Sequence, residues 1–330
     1  MKQDNRRTNF NMDRKKQLLA IGLAAVSMAV AGCAGGSKNA AMSTAPAVEL
    51  TKLREEKTAV DNSGADIEVF TLEQPIEFSY SSGEADMYFV YKDGTWLDGV
   101  TSEIPLDQEI MQEMTAGFLK LHAVKKVEEG IDLSQCGLTT PKYSISVSDA
   151  KKGLKTIVIG DKDEAGNYYI QINENSIYTI KSELAESLIF DYEKLVVKDS
   201  LDISVAPEDM VRAVIIKDGE AKTYKTSDKE VMTRIAAGLS SLKPSEYASY
   251  YADENELFSR GLTADKRLVL NAEFNTADGV RSITVYAGDF NDVYGSIRAV
   301  QIEGSSMVAL VDKDIVGNLF NLTEEENTMQ

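Results

Sequence analysis

Residues 107–121 read DQEIMQEMTAGFLKL, and residues 227–242 read SDKEVMTRIAAGLSSL. In both stretches the apolar side chains recur three or four positions apart, which predicts an amphipathic helix with one buried face. Asp107 is the predicted N-cap of the first helix, and Ser227 with Glu230 predicts a capping box for the second. The apolar positions, each matched 121 residues later, are Ile110, Met114, Phe118 and Leu121, then Val231, Ile235, Leu239 and Leu242.

The residues after each predicted helix have the period of two that is typical of strands. Tyr143, Ile145 and Val147 alternate with serines, and the stretch from Leu268 to Phe274 is apolar at every second position. Such strands bury one face of a sheet and leave the other in water. Because the buried face needs a cover and the long helix can supply it, the sequence predicts an α+β fold of helix on antiparallel sheet.

Further motifs recur in the same order in both halves of the chain, and we predict two tandem similar modules. Each is an antiparallel sheet packed on one long amphipathic helix plus a short closing helix. The first module covers residues 66–199, the second and more divergent module covers 200–324, and 325–330 is a tail. The matched motifs are Lys92-Asp93-Gly94 with Lys217-Asp218-Gly219 as hairpin turns, Gly137-Leu138-Thr139 with Gly261-Leu262-Thr263, residues 156–161 with 284–289, and Ser182 with Asp312 as N-caps of helices that end in Phe190 and Phe320.

The first 32 residues have the composition of an export signal. A basic start precedes residues 18–31, which are all apolar or small. As a helix they would span about 21 Å, less than the hydrocarbon core of about 30 Å, so we predict a signal peptide over residues 1–32. Met1 and Met12 both remain candidate start sites.

The end of the apolar segment, Val30-Ala31-Gly32-Cys33, resembles the lipobox of bacterial lipoproteins. That resemblance implies diacylglycerol on the Cys33 thiol, cleavage between Gly32 and Cys33, and acylation of the new amine. Two or more acyl chains give stable anchoring. The alternative is an ordinary signal peptide with an incidental cysteine.

Residues 33–65 are predicted to be a flexible tether between the lipid and the folded body. Ala, Gly and Ser dominate from Ala34 to Pro46, without an apolar period, and the charged stretch from Val48 to Val60 predicts a short helix.

The acidic charge of the chain disfavours nucleic acid and anionic lipid as partners of the folded body. The full chain carries a formal charge of −18, with 35 basic and 53 acidic residues. Cleavage before Cys33 removes six basic and two acidic residues, which leaves a net charge of −22. Nucleic-acid binding needs a basic surface and is disfavoured, as is close contact of the body with anionic lipid. We predict a protein anchored by lipid on the extracytoplasmic face of the cell membrane.

The chain resembles the bacterial lipoproteins built from the Domain of Unknown Function 4340 module, most strongly between Trp96 and Leu195. The motifs behind the resemblance are Trp96, Ile104-Pro105-Leu106-Asp107-Gln108, Asp132-Leu133-Ser134, Gly137-Leu138, Pro141, Ile159-Gly160-Asp161, Gly166-Asn167-Tyr168-Tyr169 and Ser176-Ile177-Tyr178-Thr179-Ile180. Cys136 replaces a common Tyr, and the second module lacks the Trp and the Pro. The resemblance implies an exported, often lipid-anchored module without accepted catalytic residues. Some relatives are associated with ATP-driven transport or gliding systems.

Catalytic motifs are absent from the sequence. His122 is the only histidine and falls on the predicted first helix, and we predict no cofactor. No zinc spacing occurs, and Cys136 is predicted to be a buried thiol. Asp161 and Asp163 are weak calcium candidates, because the loop they begin lacks the oxygen ligand at its fifth position and the bidentate Glu at its twelfth. We therefore assign no metal site.

The aromatic side chains Trp96, Tyr247, Tyr250 and Tyr251 form the candidate binding surface. Tyrosines make contact area with little side-chain entropy to lose; the alternative is that they pack their loop onto the domain. Trp96 is predicted to cover one end of the first core, and ligand stacking is the alternative for this residue. The cleft between the modules is the natural place for a ligand.

The function we predict is non-enzymatic binding or envelope assembly by a lipid-anchored protein. Its partners would be the membrane, through the anchor, and an envelope protein or transporter. One alternative is an accessory, solute-handling component of an ATP-driven membrane transporter. Another is an envelope hydrolase that uses acidic residues or calcium.

Overall fold

The computed structural model describes residues 42–56, 60, 63–128, 130–174, 176–200, 203–291, 295–323 and 326. The predicted signal peptide and the lipobox residues Val30, Ala31, Gly32 and Cys33 lie outside the described residues. The chain from Asn39 onward belongs to one compact unit.

Strands dominate the described residues. In chain order they are β1 (Thr51–Leu53), β2 (Ile67–Thr71), β3 (Pro75–Ser81), β4 (Asp86–Lys92), β5 (Thr95–Asp98), β6 (Lys120–Ala123), β7 (Lys125–Lys126), β8 (Tyr143–Asp149), β9 (Gly153–Lys162), β10 (Tyr168–Ile172), β11 (Ser176–Ile180), β12 (Lys198–Ser200), β13 (Met210–Lys217), β14 (Glu220–Lys225), β15 (Glu246–Ser249), β16 (Leu268–Thr276), β17 (Gly279–Phe290), β18 (Ile297–Ile302) and β19 (Val308–Asp312).

The helices of the described residues are few and short. They are α1 (Gln108–Leu119), α2 (Ser182–Glu186), α3 (Lys229–Ser240), α4 (Glu254–Ser259) and α5 (Lys313–Leu319), with 3-10 turns at Tyr192–Leu195 and Pro207–Asp209.

The strands form two large antiparallel sheets. The first sheet runs β5-β4-β3-β8-β9-β10-β11-β7, and the second runs β14-β13-β16-β17-β18-β19-β15. Two small ribbons, β1 with β12 and β2 with β6, complete the pairing. The structure is therefore mostly antiparallel sheet with few helices, which is compatible with the predicted α+β class.

Helix α1 contributes an apolar face to the first core. Met111, Met114 and Phe118 are buried in one cluster with Phe78 of β3. The predicted N-cap is confirmed, because a carboxylate oxygen of Asp107 accepts hydrogen bonds from the backbone N–H groups of the first turn. These contacts fix both the start and the buried side of the helix.

The first helix ends earlier than its apolar pattern predicted. Leu121 and His122 lie in β6, because the chain leaves the helix after Leu119 and pairs with β2. The Leu119 carbonyl accepts a hydrogen bond from the backbone N–H of Leu72, 2.7 Å away. The apolar stripe thus continues from a helix into a strand, and the placement of His122 on the helix was wrong.

Two of the predicted caps were wrong by one residue. Asp228, not Ser227, is the N-cap of α3, and its carboxylate accepts the backbone N–H of Lys225 instead of a helix N–H. Lys181, not Ser182, precedes α2. The cap at Asp312 is confirmed, because its side chain accepts the N–H of Asp314. Asp and Ser are comparable caps, so neighbouring candidates are decided by how the chain enters the helix.

A close backbone crossing recurs in both sheets. Gly137 has φ of 68°, and the Cys136 carbonyl before it accepts the N–H of Asp161 at 2.8 Å. Gly261 has φ of 66°, and the Arg260 carbonyl accepts the N–H of Asp289 at 2.8 Å. Both glycines therefore have a left-handed backbone, which glycine adopts without the steric cost of a Cβ.

The two Lys-Asp-Gly turns do not occupy equivalent places. Asp93 and Asp218 have φ of 52° and 50°, as the hairpin turns predicted for Asp-Gly require. The first turn joins β4 to β5, whereas the second joins β13 to β14. In sheet order β13 corresponds to β3 and β14 to β4, so β5 has no counterpart. The motif match reflects common turn chemistry at these two positions.

The predicted tether differs from the structure. From Ser43 to Arg54 the chain contacts the folded body, and it forms β1 where a helix was predicted over Val48–Val60. Backbone pairing with β17 and β12 supplies the hydrogen bonds that a short isolated helix would have to provide for itself.

Asp149 joins the tip of the β8–β9 hairpin to the loop before β3. It is 4% exposed, and it accepts backbone N–H bonds from Gln74 at 2.7 Å and from Lys151 and Lys152 at 2.8 Å. Burial opposes ionisation, but these donors prevail and hold the pKa of Asp149 below its usual value.

We expect Asp149→Asn to destabilise the fold at neutral pH by about 2 kcal/mol, because a charged acceptor of three bonds is lost. A depressed folded-state pKa stabilises above the unfolded value of about 3.9, and this contribution is lost as the pH falls through the folded pKa. The difference from wild type should therefore narrow below about pH 3.9. Urea unfolding from pH 7 to pH 3 measures it, with exposed Asp278→Asn as the control; an unchanged difference across this range would contradict the assignment.

Candidate functional site at the junction of the two sheets

Two of the predicted binding tyrosines lie where the two sheets meet. Tyr247 in β15 and Tyr250 just after it stack with ring centroids 5.8 Å apart. Tyr250 also faces Tyr192, which follows the first sheet, at 6.0 Å. Both Tyr247 and Tyr250 are partly buried against the core of the first sheet. We call Asp98, Tyr192, Asp199, Tyr247 and Tyr250 the junction.

Polar contacts fix these rings in place. The Tyr192 hydroxyl donates to Oδ2 of Asp98 at 2.7 Å, and the Tyr247 hydroxyl donates to the backbone carbonyl of Asp199. The Asp199 carboxylate in turn accepts from Ser305 Oγ at 2.8 Å and pairs with Lys52. Asp199 thus connects the chain between the sheets to the second sheet and to the N-terminal segment.

The phenols of the junction are poor acids. Burial raises the pKa of Tyr247 to about 12, with the neighbouring carboxylates of Asp199 and Glu193 adding to the rise. Burial also raises the pKa of Tyr192 and Tyr250, assisted by Asp98 and Glu193 respectively. These hydroxyls stay protonated near neutral pH and act as hydrogen-bond donors.

The cavity at the junction is small. Its volume is 30 Å³, which is room for about one water molecule. Its walls are mostly apolar, and they come from Asp199, Ser200, Leu242, Pro244, Tyr247, Val300, Ile302, Ser305, Met307, Ala309 and Val311. The walls belong to the second sheet and its flanking loops, together with Asp199 and Ser200 of the connection, and this cavity is too small for a ligand.

Trp96 and Tyr251, the other two candidate aromatic residues, differ strongly in solvent exposure. Trp96 is 2% exposed, and its ring packs edge-on against Phe78 at 6.2 Å. The ring lies within the first core and offers no surface to a ligand, so Trp96 does not belong to the candidate binding surface. Tyr251 is 36% exposed and stays on the surface. The structure therefore does not bring the four aromatic side chains together as one surface.

We expect Tyr250→Ala to destabilise the protein by about 2 kcal/mol, because it removes the ring between Tyr192 and Tyr247. Tyr250→Phe keeps the ring and should cost less than about 1 kcal/mol. Tyr251→Ala is the matched control and should change stability by less than about 0.5 kcal/mol. Urea unfolding compares the three variants; equal effects of the two alanine substitutions would rule out a packed junction.

The weak calcium candidates take part in turn structure. The Asp161 carboxylate packs against the backbone of Gly137. Oδ1 of Asp163 accepts the backbone N–H groups of Ala165 at 2.9 Å and Asn167 at 2.8 Å. Within the described part of the chain, no three His, Cys, Asp or Glu side chains converge as metal ligands would.

A shallow hollow lies beside the end of α1. It has a volume of 370 Å³ and is lined by Ala65, Ala116, Gly117, Lys120 and His122. Gly117 allows close packing of Leu184, because a Cβ at Gly117 would lie 2.4 Å from the Leu184 side chain. Gly238 in α3 meets Leu319 of α5 in the same way, at 2.9 Å.

Sequence reasoning missed several residues that shape these sites. Gly117 and Gly238 carried a usable signal, since a glycine within a helical pattern often marks a close approach. Tyr192 and Asp199 carried none, because their partners lie far away in sequence. Cys136 is buried as predicted, and burial raises the pKa of its thiol.

Comparison with known proteins gives one match. A family model described as Domain of unknown function (DUF4340) matches residues 100–264. The match runs from the loop before α1 to the turn after α4, and so includes strands of both large sheets. No curated protein and no solved structure matches the chain. No helix of the described residues is long and apolar enough to cross a membrane.

Proposed function

Because this chain belongs to the DUF4340 family, we propose that it is a lipid-anchored extracytoplasmic protein that acts by non-enzymatic binding in envelope assembly. The anchor would be the acylated Cys33, and the working part would be the folded body. The observation that supports the proposal is the packing of the two sheets at the junction, where Tyr250 meets Tyr192 and Met307 is buried in the first core. Binding would then use the outer surfaces of the body.

Repetition of structure supports the view that the body consists of two related modules. The second sheet has the strand order of the first without β5. The Gly137 and Gly261 crossings share their hydrogen bonds, and Gly117 and Gly238 share their helix contacts. We infer that a sheet-and-helix unit is used twice in this chain.

Contacts between the modules support their action as a single body. The rings of Tyr192 and Tyr250 meet across the junction, and Met307 of the second module is buried in the first core. A partner bound to either module would therefore be held by the whole body. Such a body suits a scaffold better than an enzyme or carrier that has to open and close around a solute.

The test combines lipid analysis with partner capture. The full chain is expressed in a bacterium, and peptide mass spectrometry is used to examine residue 33. We expect a diacylglycerol thioether and an acylated amine on Cys33, and loss of membrane attachment in Cys33→Ser. Cross-linking in intact membranes should then recover the same envelope protein repeatedly with wild type and not with Cys33→Ser. An unmodified thiol, or no reproducible partner, would refute the proposal.

A further inference from the structure

Residues 43–54, which we call the strap, attach first to the second sheet. The Ser43 N–H donates to Oδ1 of Asn271 at 3.1 Å, and Ser282 Oγ donates to the Ala45 carbonyl at 2.9 Å. Ser282 N–H donates to the Pro46 carbonyl at 2.8 Å, and the Val48 N–H donates to the Ser282 carbonyl at 2.9 Å. The strap thus lies parallel to β17, at the part of that strand beyond the pairing with β18.

Polar residues on the outer face of the second sheet match the strap. Asn271, Ser282 and Thr284 are buried, although their side chains point away from the apolar core. The Asn271 amide nitrogen donates to Thr284 Oγ1 at 3.1 Å, which leaves its oxygen for the strap. Buried polar groups are costly unless they are paired. Residues 43–45 pair with these side chains from the outer face, and residues 46–48 pair with the free edge of β17.

The rest of the strap reaches the first module. Strand β1 pairs with β12, the strand between the two modules. Beyond it, Nη1 of Arg54 lies 3.2 Å from both carboxylate oxygens of Asp107, the buried N-cap of α1. The strap thus contacts the second sheet, the connection and the first helix in turn, which fixes it along the body.

The docked strap leaves a short tether. If Cys33 carries the lipid, as the proposed function requires, only residues 34–42 lie between the anchor and Ser43. Fully extended, the ten steps from Cys33 to Ser43 reach at most about 35 Å. As a Gly-rich coil they reach about 17 Å on average. A folded body of this size has a radius of gyration of about 19 Å, and so is about 50 Å across.

We propose that the outer face of the second sheet, around Asn271 and Ser282, is the side of the body nearest the lipid headgroups, held off them by the tether, and that the first module points away from them. A tether shorter than the body holds the attachment side near the bilayer and keeps the opposite side distant. We take the β8–β9 hairpin as the distant reference, because Asp149 at its tip accepts the Gln74 N–H near the end of α1, about 18 Å along the helix from the strap contact at Asp107. The first module is then the part presented to an envelope partner.

Two exposed strand residues provide a matched pair of reporters. Val280 in β17 is 39% exposed and lies two residues from Ser282, and Leu154 in β9 is 57% exposed at the distant hairpin. Each is replaced in turn by an amino acid that accepts a fluorescent donor, in the full chain reconstituted into vesicles with an acceptor-labelled lipid. We expect stronger energy transfer from position 280 than from position 154. Equal transfer, or stronger transfer from position 154, would overturn the proposal.

Variants of the tether and the strap test whether they are what orients the body on the membrane. Inserting about 30 Gly-Ser residues after Met42 raises the average reach to about 35 Å and should reduce the difference between the two reporters. Val48→Pro removes the N–H bonded to Ser282, and by releasing the strap it should also reduce the difference in energy transfer between the two positions. A difference unchanged by both variants would show that something other than the strap orients the body.

Mass spectrometry of the same samples separates this inference from the proposed function. If Cys33 is acylated but energy transfer from positions 280 and 154 is equal, the proposed orientation is refuted and the proposed function is not. An unmodified Cys33 would refute the proposed function. In that case the Cys33 thiol is coupled to a maleimide-bearing lipid, and the energy-transfer measurement still tests whether the strap orients the body.

Discussion

Gly160→Ala is expected to destabilise the protein by about 3–4 kcal/mol, because overpacking against backbone adds to a lost hydrogen bond. A Cβ at position 160 would lie 2.0 Å from the Cys136 carbonyl oxygen, well inside contact distance. That carbonyl also accepts the N–H of Asp161 at 2.8 Å, so it has to move away from the bond that holds the crossing together. Backbone on both sides leaves little room for relaxation.

Matched glycines make the measurement specific. Gly288 has the same geometry in the second sheet, 2.0 Å from the Arg260 carbonyl oxygen, and Gly288→Ala should cost about as much as Gly160→Ala. Gly166 has φ of 84°, and a Cβ at this position would have no atom within 4 Å, so Gly166→Ala should cost about 1–2 kcal/mol from its left-handed backbone alone. Chemical denaturation of the three variants measures the difference. A Gly160→Ala protein as stable as the Gly166→Ala protein would refute the close crossing.

Trp96→Ala is expected to cost about 3–5 kcal/mol, because it empties a large site in the first core. The indole packs against the rings of Phe78 and of Tyr91, the latter at 4.9 Å. The Gln108 side chain bonds both the N–H and the carbonyl of Trp96 at 2.8 Å, which fixes the strand to the start of α1. These backbone bonds remain in Trp96→Ala, so the expected loss of stability comes from the buried ring itself.

The control for this prediction is an aromatic residue outside the core. Phe258 is exposed, and Phe258→Ala should change stability by less than about 0.5 kcal/mol. Trp96 is the only tryptophan, so wild-type fluorescence reports burial directly, and the variants are compared by circular dichroism during urea unfolding. Unchanged stability of Trp96→Ala, together with wild-type fluorescence typical of a solvent-exposed tryptophan, would contradict the buried position of Trp96.

Local patterns predicted most of the elements but not their ends. Period two identified β8 and β16, and the apolar stripes identified α1 and α3. The stripe through Leu121 misled, because the chain passes from α1 into β6 without changing its buried side. A hydrophobic pattern reports which side chains are buried, and hydrogen-bond partners decide whether the backbone there is helix or strand.

The candidate site was the least predictable part of the chain. Tyr247, Tyr250 and Tyr251 stand close together in sequence, yet the first two pack at the junction and the third is exposed. Tyrosine suits both environments, because its ring is apolar and its hydroxyl is polar. Burial at this position is decided by Tyr192 and Asp199, which are supplied by a distant part of the chain.

By itself, the sequence determined the acidic character of the protein, its α+β class and the buried faces of its helices. These properties depend on composition and on neighbours a few residues apart. Only the tertiary structure decided that residues 43–54 lie along the body from the second sheet to the start of α1, and that Tyr192, Tyr247 and Tyr250 pack together at the junction. Each of these depends on contacts between residues far apart in sequence, and no local period or spacing encodes which distant surface will cover a given side chain.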